Sequence, residues 1–141
     1  MFTRLHHVGL LVKDLNDAKK LYCDHYGLKT GKEFDLESED VRILNIPIGD
    51  SMIEVNQVIN NDSGVGRYLE KNGDGLHHIC LESDNLDADV KLLGPLGYDL
   101  IKPISNNDYG IRVGWIHPKQ AQGILIELWE NPKDKPDISR T

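Results

Sequence analysis

The chain has 141 residues, of which 39% are hydrophobic and 28% charged, the proportions of an ordinary soluble globular domain. Its net charge of −7 argues against a nucleic-acid or anionic-membrane partner, because both require basic patches. No apolar run approaches a membrane span and the first residues lack a signal-peptide stretch, so a cytoplasmic location is expected. Cys23 and Cys80 fit neither a disulfide framework nor a zinc-binding pattern and are expected to be reduced thiols.

The first part of the chain predicts the element order β-α-β-β-β. An apolar run over 5–12 predicts a strand, followed by a helix that Asp14 caps and that ends at Gly27. Further strands are predicted over 28–34, 41–48 and 52–58, with a turn at 49–51. The alternation of the first strand places His7, Gly9 and Leu11 on one face, and His6, Val8, Leu10 and Val12 on the other.

The same order starts again after a linker over 60–74, which holds a short helix at 65–71 and a Gly-rich turn. A strand over 76–82 is followed by a helix that begins at Asp84 or Asn85 and closes near Gly97. The predicted organisation is therefore a single domain over 1–141. It consists of a module over 1–59, the linker 60–74, a module over 75–130 with strands at about 98–103, 110–116 and 123–129, and a frayed tail over 131–141.

Three landmarks recur at almost constant spacing and indicate an internal repeat. The histidines that open the two modules are 71 residues apart, the glycines that end the two first helices 70, and the glutamates of the two last strands 73. Spacing of this regularity, at half the chain length, is typical of a duplicated unit. The pairs are His7 with His78, Gly27 with Gly97, and Glu54 with Glu127.

Four of these residues are the candidate site: His7, Glu54, His78 and Glu127. A carboxylate inside an apolar strand is costly to bury unless it is paired or bound to a metal, and here two occupy equivalent positions. Two imidazole nitrogens and two carboxylate oxygens suit a divalent Co, Ni, Zn or Mn ion with open positions for water or substrate. Such an open site indicates catalysis or chelation rather than a structural metal. His6 and His77 are the fallback ligands.

The sequence resembles the vicinal oxygen chelate superfamily and, more narrowly, the methylmalonyl-CoA epimerases. The stretches that carry the resemblance are 5–15, 67–79 and 116–128, and the likeness covers nearly the whole chain. The resemblance implies an α+β fold in which two βαβββ modules form a cupped half-barrel of mixed sheet around a metal site. It also allows a homodimer.

What the resemblance implies for activity is a metal-dependent proton transfer at C2 of a 2-substituted malonyl thioester, through a metal-stabilised enolate. Carboxylates remove and return the proton, and Glu127 and Glu54 are the expected catalytic residues. Some epimerases place a second catalytic glutamate in the third strand, where residues 41–46 hold no carboxylate here. The nearest substitutes are Asn45, Glu37, Glu39 and Asp40.

Two other functions stay open on the sequence. The ligand set His, Glu, His, Glu also resembles bacterial glyoxalase I, a metal-dependent isomerase of glutathione hemithioacetals whose site is typically assembled between two chains. A non-enzymatic small-molecule binding protein of the same fold, which lacks the metal, is the third reading. The expected ligand is accordingly an acyl-CoA or a glutathione adduct.

Overall fold

The computed structural model describes residues 1–132 of the chain, so most of the predicted tail, from 133 onward, lies outside the described residues. The strands and α-helices follow in chain order as β1 Phe2–Val12, α1 Leu15–Lys19, β2 Glu33–Leu36, β3 Val41–Ile48, β4 Ser51–Val58, α2 Gly64–Asn72, β5 Gly75–Ser83, α3 Leu86–Leu93, β6 Ser105–Asn106, β7 Arg112–Ile116 and β8 Leu125–Glu130. None of these helices is long and apolar enough to cross a membrane.

The described residues divide into two compact units. The first unit comprises residues 1–7 with 78–132, and the second unit comprises residues 8–77. The predicted single domain, with its boundaries at 59, 74 and 130, stays a prediction.

In the second unit, β2, β3, β4 and β1 are neighbours in that order. β3 is antiparallel to β2 and β4, and β1 is parallel to β4 with Gly9 opposite Glu54. A parallel pair needs a long crossover, which α1 supplies. The apolar face of the sheet packs on α1, and the buried residues of that core are Val12, Leu15, Ala18, Leu44, Ile46 and Val55.

The first unit repeats this arrangement. β5, β8, β7 and β6 are neighbours in that order, with β5 parallel to β8 and β7 antiparallel to β8 and β6. Cys80 of β5 lies opposite Glu127 of β8, as Gly9 lies opposite Glu54 in the second unit. α3 packs on the apolar face through Leu86, together with Ile116 and Leu128. The predicted repeat of βαβββ order and the α+β class are both present in the strands and helices.

Two predicted strands are misplaced. The strand expected over 28–34 is β2 at Glu33–Leu36 instead, because three of the four residues over 29–32 are Lys or Gly, which are depleted in strands. The strand expected over 98–103 is reduced to an isolated bridge between Leu100 and Ile116, with β6 only at 105–106. Pro103 has no N–H to donate to a strand ladder and stops the pairing there.

The first helix begins as predicted but changes its geometry. The Asp14 carboxylate accepts a hydrogen bond from the Asn16 N–H at 2.8 Å, which satisfies one of the free donors of the first turn. After Lys19 the helix continues as a π-helical segment over Lys20–His25. Gly27 then adopts a φ of +74°, which a glycine takes without strain, so the predicted C-terminal stop holds.

Candidate metal centre

Glu127 is held on the face of its strand that turns away from the helix. Its neighbours Ile126 and Leu128 pack into the core with α3, and alternation along β8 therefore directs Glu127 to the opposite face. Glu127 is only 4% exposed. A carboxylate so deeply buried needs partners that compensate its charge.

Those partners are two histidines of the same unit. Glu127 Oε2 lies 3.0 Å from His7 Nε2 and 3.3 Å from His78 Nε2, and the two Nε2 atoms are 3.0 Å apart. His7 is fully buried and His78 is 4% exposed. The structure thus brings together three of the four residues that the sequence singles out.

The spacing of these three atoms fits a bound cation. Ligand bonds of about 2.1 Å at right angles place neighbouring ligand atoms about 3.0 Å apart, which is the separation observed. Without a cation, two ring nitrogens that face each other at 3.0 Å accommodate one proton between them. A divalent ion would satisfy both nitrogens and the carboxylate oxygen together, so the donor set fits the metal that the sequence predicts.

The electrostatics of Glu127 keep it ionised. Burial alone would raise the pKa of its carboxyl group, but the contacts of the carboxylate with His7 and His78 outweigh burial and hold that pKa below its ordinary value. The group is therefore a carboxylate at neutral pH. Only the ionised form serves as a metal ligand or as a proton acceptor.

Glu54 occupies the equivalent place in the second unit. It is 7% exposed and lies opposite Gly9 on one side and Asn45 on the other. Its neighbours Ile53 and Val55 pack toward α1, so Glu54 also points to the face away from the helix. The Asn56 side-chain amide donates to Glu54 Oε1 at 3.2 Å and orients the carboxylate.

The fallback histidines have different surroundings. The His77 ring packs edge-on against Tyr68 at 4.9 Å between centroids. His6 is 2% exposed, and its Nδ1 lies 2.8 Å from Nδ1 of His7. Regular alternation predicts His6 and His7 on opposite faces; this contact shows that the prediction is wrong at this point, where the two side chains do not follow the regular pleat.

Trp129 belongs to the same cluster, and the sequence analysis does not identify it as a site residue. Its indole stacks on the His6 ring at 4.3 Å with an interplanar angle of 23°, and it meets the His7 ring edge-on at 5.5 Å. The signal that points to it is its position two residues after Glu127, on the same face of β8.

The carboxylates proposed to replace a third-strand glutamate lie in the turn before β3. Glu37 and Glu39 belong to a 3₁₀ turn, Glu37 is exposed, and Asp40 ends the turn in a left-handed conformation. The Asp40 carboxylate accepts from the Asn60 amide at 3.3 Å. Asn45 lies fully buried within β3, but an amide cannot serve as a general base.

His117 has a structural role. It begins a 3₁₀ turn over Pro118–Gln120, where its Nδ1 accepts from the Lys119 N–H at 3.1 Å. Cys23 and Cys80 are not joined to each other by a disulfide, and their expected reduced state stays a prediction.

Comparisons with known proteins identify the family of this chain and its relatives. Residues 6–115 match the family model of the glyoxalase/bleomycin resistance protein/dioxygenase superfamily. The mitochondrial methylmalonyl-CoA epimerase of Homo sapiens is 32% identical over 127 residues, covering 89% of this chain and 72% of the human protein. The ethylmalonyl-CoA/methylmalonyl-CoA epimerase of Cereibacter sphaeroides is 31% identical over 132 residues, covering 91% and 98%.

Solved structures show the same relationship. A variant of Streptomyces coelicolor methylmalonyl-CoA epimerase in complex with 2-nitronate-propionyl-CoA superposes with a TM-score of 0.87 at 28% identity, covering 96% of this chain and 99% of that one. A methylmalonyl-CoA epimerase in complex with methylmalonyl-CoA and NH4⁺ gives 0.86 at 28% identity, covering 94% and 97%. The fold class predicted from the sequence is thereby confirmed.

The chain belongs to the glyoxalase/bleomycin resistance protein/dioxygenase superfamily. Within that superfamily its similarity is to methylmalonyl-CoA epimerases, in sequence and in structure.

Proposed function

We propose that the protein is a metal-dependent epimerase that moves the C2 proton of a 2-substituted malonyl-CoA thioester. The observation that carries the proposal is the convergence of His7 Nε2, His78 Nε2 and Glu127 Oε2 within 3.3 Å in a chain similar to methylmalonyl-CoA epimerases. Relatives whose structures hold an acyl-CoA or its analogue support a CoA thioester as the substrate class.

The residues that would hold the cation are His7, Glu54, His78 and Glu127. The support for Glu54 is its strand register. In the first unit, Glu127 lies opposite the residue two positions after His78, and its carboxylate reaches that histidine. Glu54 lies opposite Gly9, two positions after His7, and we infer that the same register directs it to the same ion. The set suits Co, Ni, Zn or Mn.

When bound, the cation supplies Lewis-acid stabilisation of the negative charge that develops on the thioester oxygen as C2 loses its proton. The chain's own part is proton transfer by carboxylates. Both histidine contacts of Glu127 use Oε2, so we assign Oε1 to accept the C2 proton. The burial of Glu127 keeps water from competing for that proton and strengthens each electrostatic contact.

Epimerisation requires that the proton return on the opposite face of C2, which calls for a second acid. We assign this role to Glu54, because Val41–Ile48 of β3 contains no carboxylate. In the turn before that strand, Glu37 is exposed and the Asp40 carboxylate accepts a hydrogen bond from Asn60. The Asn56 amide donates to Glu54 Oε1 and holds the carboxylate in one orientation.

The test is exchange of the C2 proton of methylmalonyl-CoA in D₂O by the purified, metal-loaded protein, run beside a glutathione hemithioacetal assay. Exchange at C2 without turnover of the hemithioacetal is the expected result. Turnover of the hemithioacetal alone would make the protein a glyoxalase I-type isomerase. If the purified protein contains no metal and shows neither activity, it is the non-enzymatic binding protein. The cytoplasmic location and the homodimer stay predictions.

A further inference from the structure

The contact between His6 and His7 constrains the position of a proton. Their Nδ1 atoms are 2.8 Å apart and both rings are buried, His6 to 2% exposure and His7 to 0%. Two neutral imidazole nitrogens at this distance share one proton: one ring donates it and the other accepts it. The direction of this hydrogen bond fixes the tautomer of His7, because a neutral imidazole carries its single proton on one nitrogen only.

The other nitrogen of His7 faces the candidate metal centre. If His7 carries its proton on Nε2, it donates to Glu127 Oε2 at 3.0 Å and has no lone pair for a cation. If it carries the proton on Nδ1, it donates to His6, and Nε2 presents a lone pair toward His78 Nε2 and Glu127 Oε2. Only the second tautomer can bind a metal through Nε2.

We propose that His6 is a positioning residue: it accepts the Nδ1 proton of His7 and so stabilises the tautomer in which His7 Nε2 binds the cation. This inference rests on the metal site of the proposed function. Metal-bound histidines commonly donate their second ring nitrogen to an acceptor that fixes their orientation. Here that acceptor is the preceding residue of the same strand.

Trp129 keeps the His6 ring in place. The two rings stack at 4.3 Å with 23° between their planes, so the indole fixes the plane in which His6 Nδ1 presents its lone pair. Among residues 1–132, the buried Trp129 Nε1 has no hydrogen-bond partner. The face of the indole, rather than its N–H, therefore makes the contribution, and a phenyl ring should replace it.

A direct metal site at His6, His7 and Cys80 is the competing arrangement, since their ligand atoms lie within 4.8 Å of one another. Bonds from zinc to two imidazole nitrogens in a tetrahedral site place those nitrogens about 3.3 Å apart. The observed 2.8 Å is the length of a hydrogen bond. A shared proton accounts for this distance without an ion, and the Co²⁺ spectrum below separates the two arrangements.

The experiment measures Zn²⁺ affinity of the full chain by competition with a chromophoric chelator. His6→Phe keeps an aromatic ring for Trp129 but removes the acceptor, and we expect about 10- to 100-fold weaker binding. His6→Asn restores an oxygen acceptor near the position of Nδ1 and should recover most of the affinity. The matched control His25→Phe, at an exposed histidine, should bind like the wild type.

Two spectra of the wild-type protein test the role of His6 without depending on the folding of any variant. Long-range ¹H–¹⁵N spectra of the Zn²⁺-loaded wild type should show the His7 proton on Nδ1, and a proton found instead on His6 Nδ1 would overturn the inference. The Co²⁺-loaded protein should lack a thiolate-to-metal charge-transfer band; its presence would make Cys80 a ligand and also overturn it. Unchanged affinity in His6→Phe refutes the role of His6 alone, whereas a wild type that binds no divalent ion refutes the proposed function as well.

Discussion

Replacement of Glu127 by Gln tests the centre most directly, because it keeps the shape of the side chain and removes its charge. The carboxylate is buried and touches both histidines through Oε2, so the amide loses the ionic contact to the cation and places an N–H group on one of its two oxygen positions. Loss of a partner outside the ligand shell already weakens metal affinity about 10- to 100-fold, so loss of a ligand should cost at least about 100-fold.

That loss converts into a measurable shift in melting temperature. Metal at 100 times its Kd stabilises the wild type by about 2.7 kcal/mol, which for a chain of this size raises Tm by about 10 °C. At the same concentration a variant with 100-fold weaker affinity gains about 0.4 kcal/mol, a shift under about 2 °C. Deuterium exchange at C2 should fall by about 10²- to 10⁴-fold with the loss of the proton acceptor.

Glu130→Gln is the matched control on the same strand. The Glu130 carboxylate accepts from the Leu86 N–H at 2.8 Å and from Arg112 at 3.0 Å, so its replacement lowers the starting Tm but leaves the metal-induced shift intact. A Glu127→Gln protein that keeps both the full metal-induced shift and the exchange rate would show that Glu127 neither binds the cation nor transfers the proton.

Three further predictions follow from the same contacts. His78→Ala should abolish the metal-induced Tm shift and the exchange while near-ultraviolet circular dichroism stays native; persistent metal binding would exclude His78 as a ligand. Glu54→Gln keeps an amide oxygen for the ion, so we expect metal binding within about tenfold of wild type but at least about 10²-fold slower exchange; normal exchange would remove Glu54 from the mechanism. In the metal-free protein, the pKa of Glu127 lies below its ordinary value of 4.5, so its ionised form stabilises the fold above that pH, and the contribution is lost as the pH falls below it. Denaturation between pH 6.5 and 3.5 should therefore show the unfolding free energy of the wild type falling more than that of Glu127→Gln, and parallel pH curves would contradict the ion-pair account.

Much of the site can be predicted from two properties of the sequence, the alternation of apolar and polar residues along a strand and the internal repeat. Alternation in β8 separates Glu127 from Ile126 and Leu128, and the structure puts those two against α3 and Glu127 on the other face. Repetition narrows the chain's six histidines to two pairs, His6 with His77 and His7 with His78, because the members of each pair are 71 residues apart. Neither property depends on knowing how distant segments pack.

The misplaced strands show where such reasoning stops. Apolar residues at 98–101 resemble the start of a strand, but the edge of a sheet tolerates an isolated bridge at Leu100 as readily as a full ladder. Whether a short apolar run pairs depends on the partner strand and on Pro103, not on the run alone. The π-helical segment over Lys20–His25 likewise has no signature in a pattern that reads only apolar spacing.

The two double-histidine motifs show that equivalent positions of a repeat can hold the same residue type in different structural roles. His6 and His77 hold equivalent places before His7 and His78, and sequence alone makes them interchangeable. In the structure His77 packs on Tyr68, whereas His6 stacks on Trp129 and meets His7 Nδ1. The aromatic partner determines the role of each histidine. Trp129 is far from His6 along the chain, whereas Tyr68 is near His77. Because the tautomer of His7 depends on His6, the two modules contribute unequally to metal binding. Substitution of His77 should leave metal affinity unchanged, whereas substitution of His6 should lower it. Equal losses of affinity in the two variants would show instead that His6 and His77 have equivalent roles.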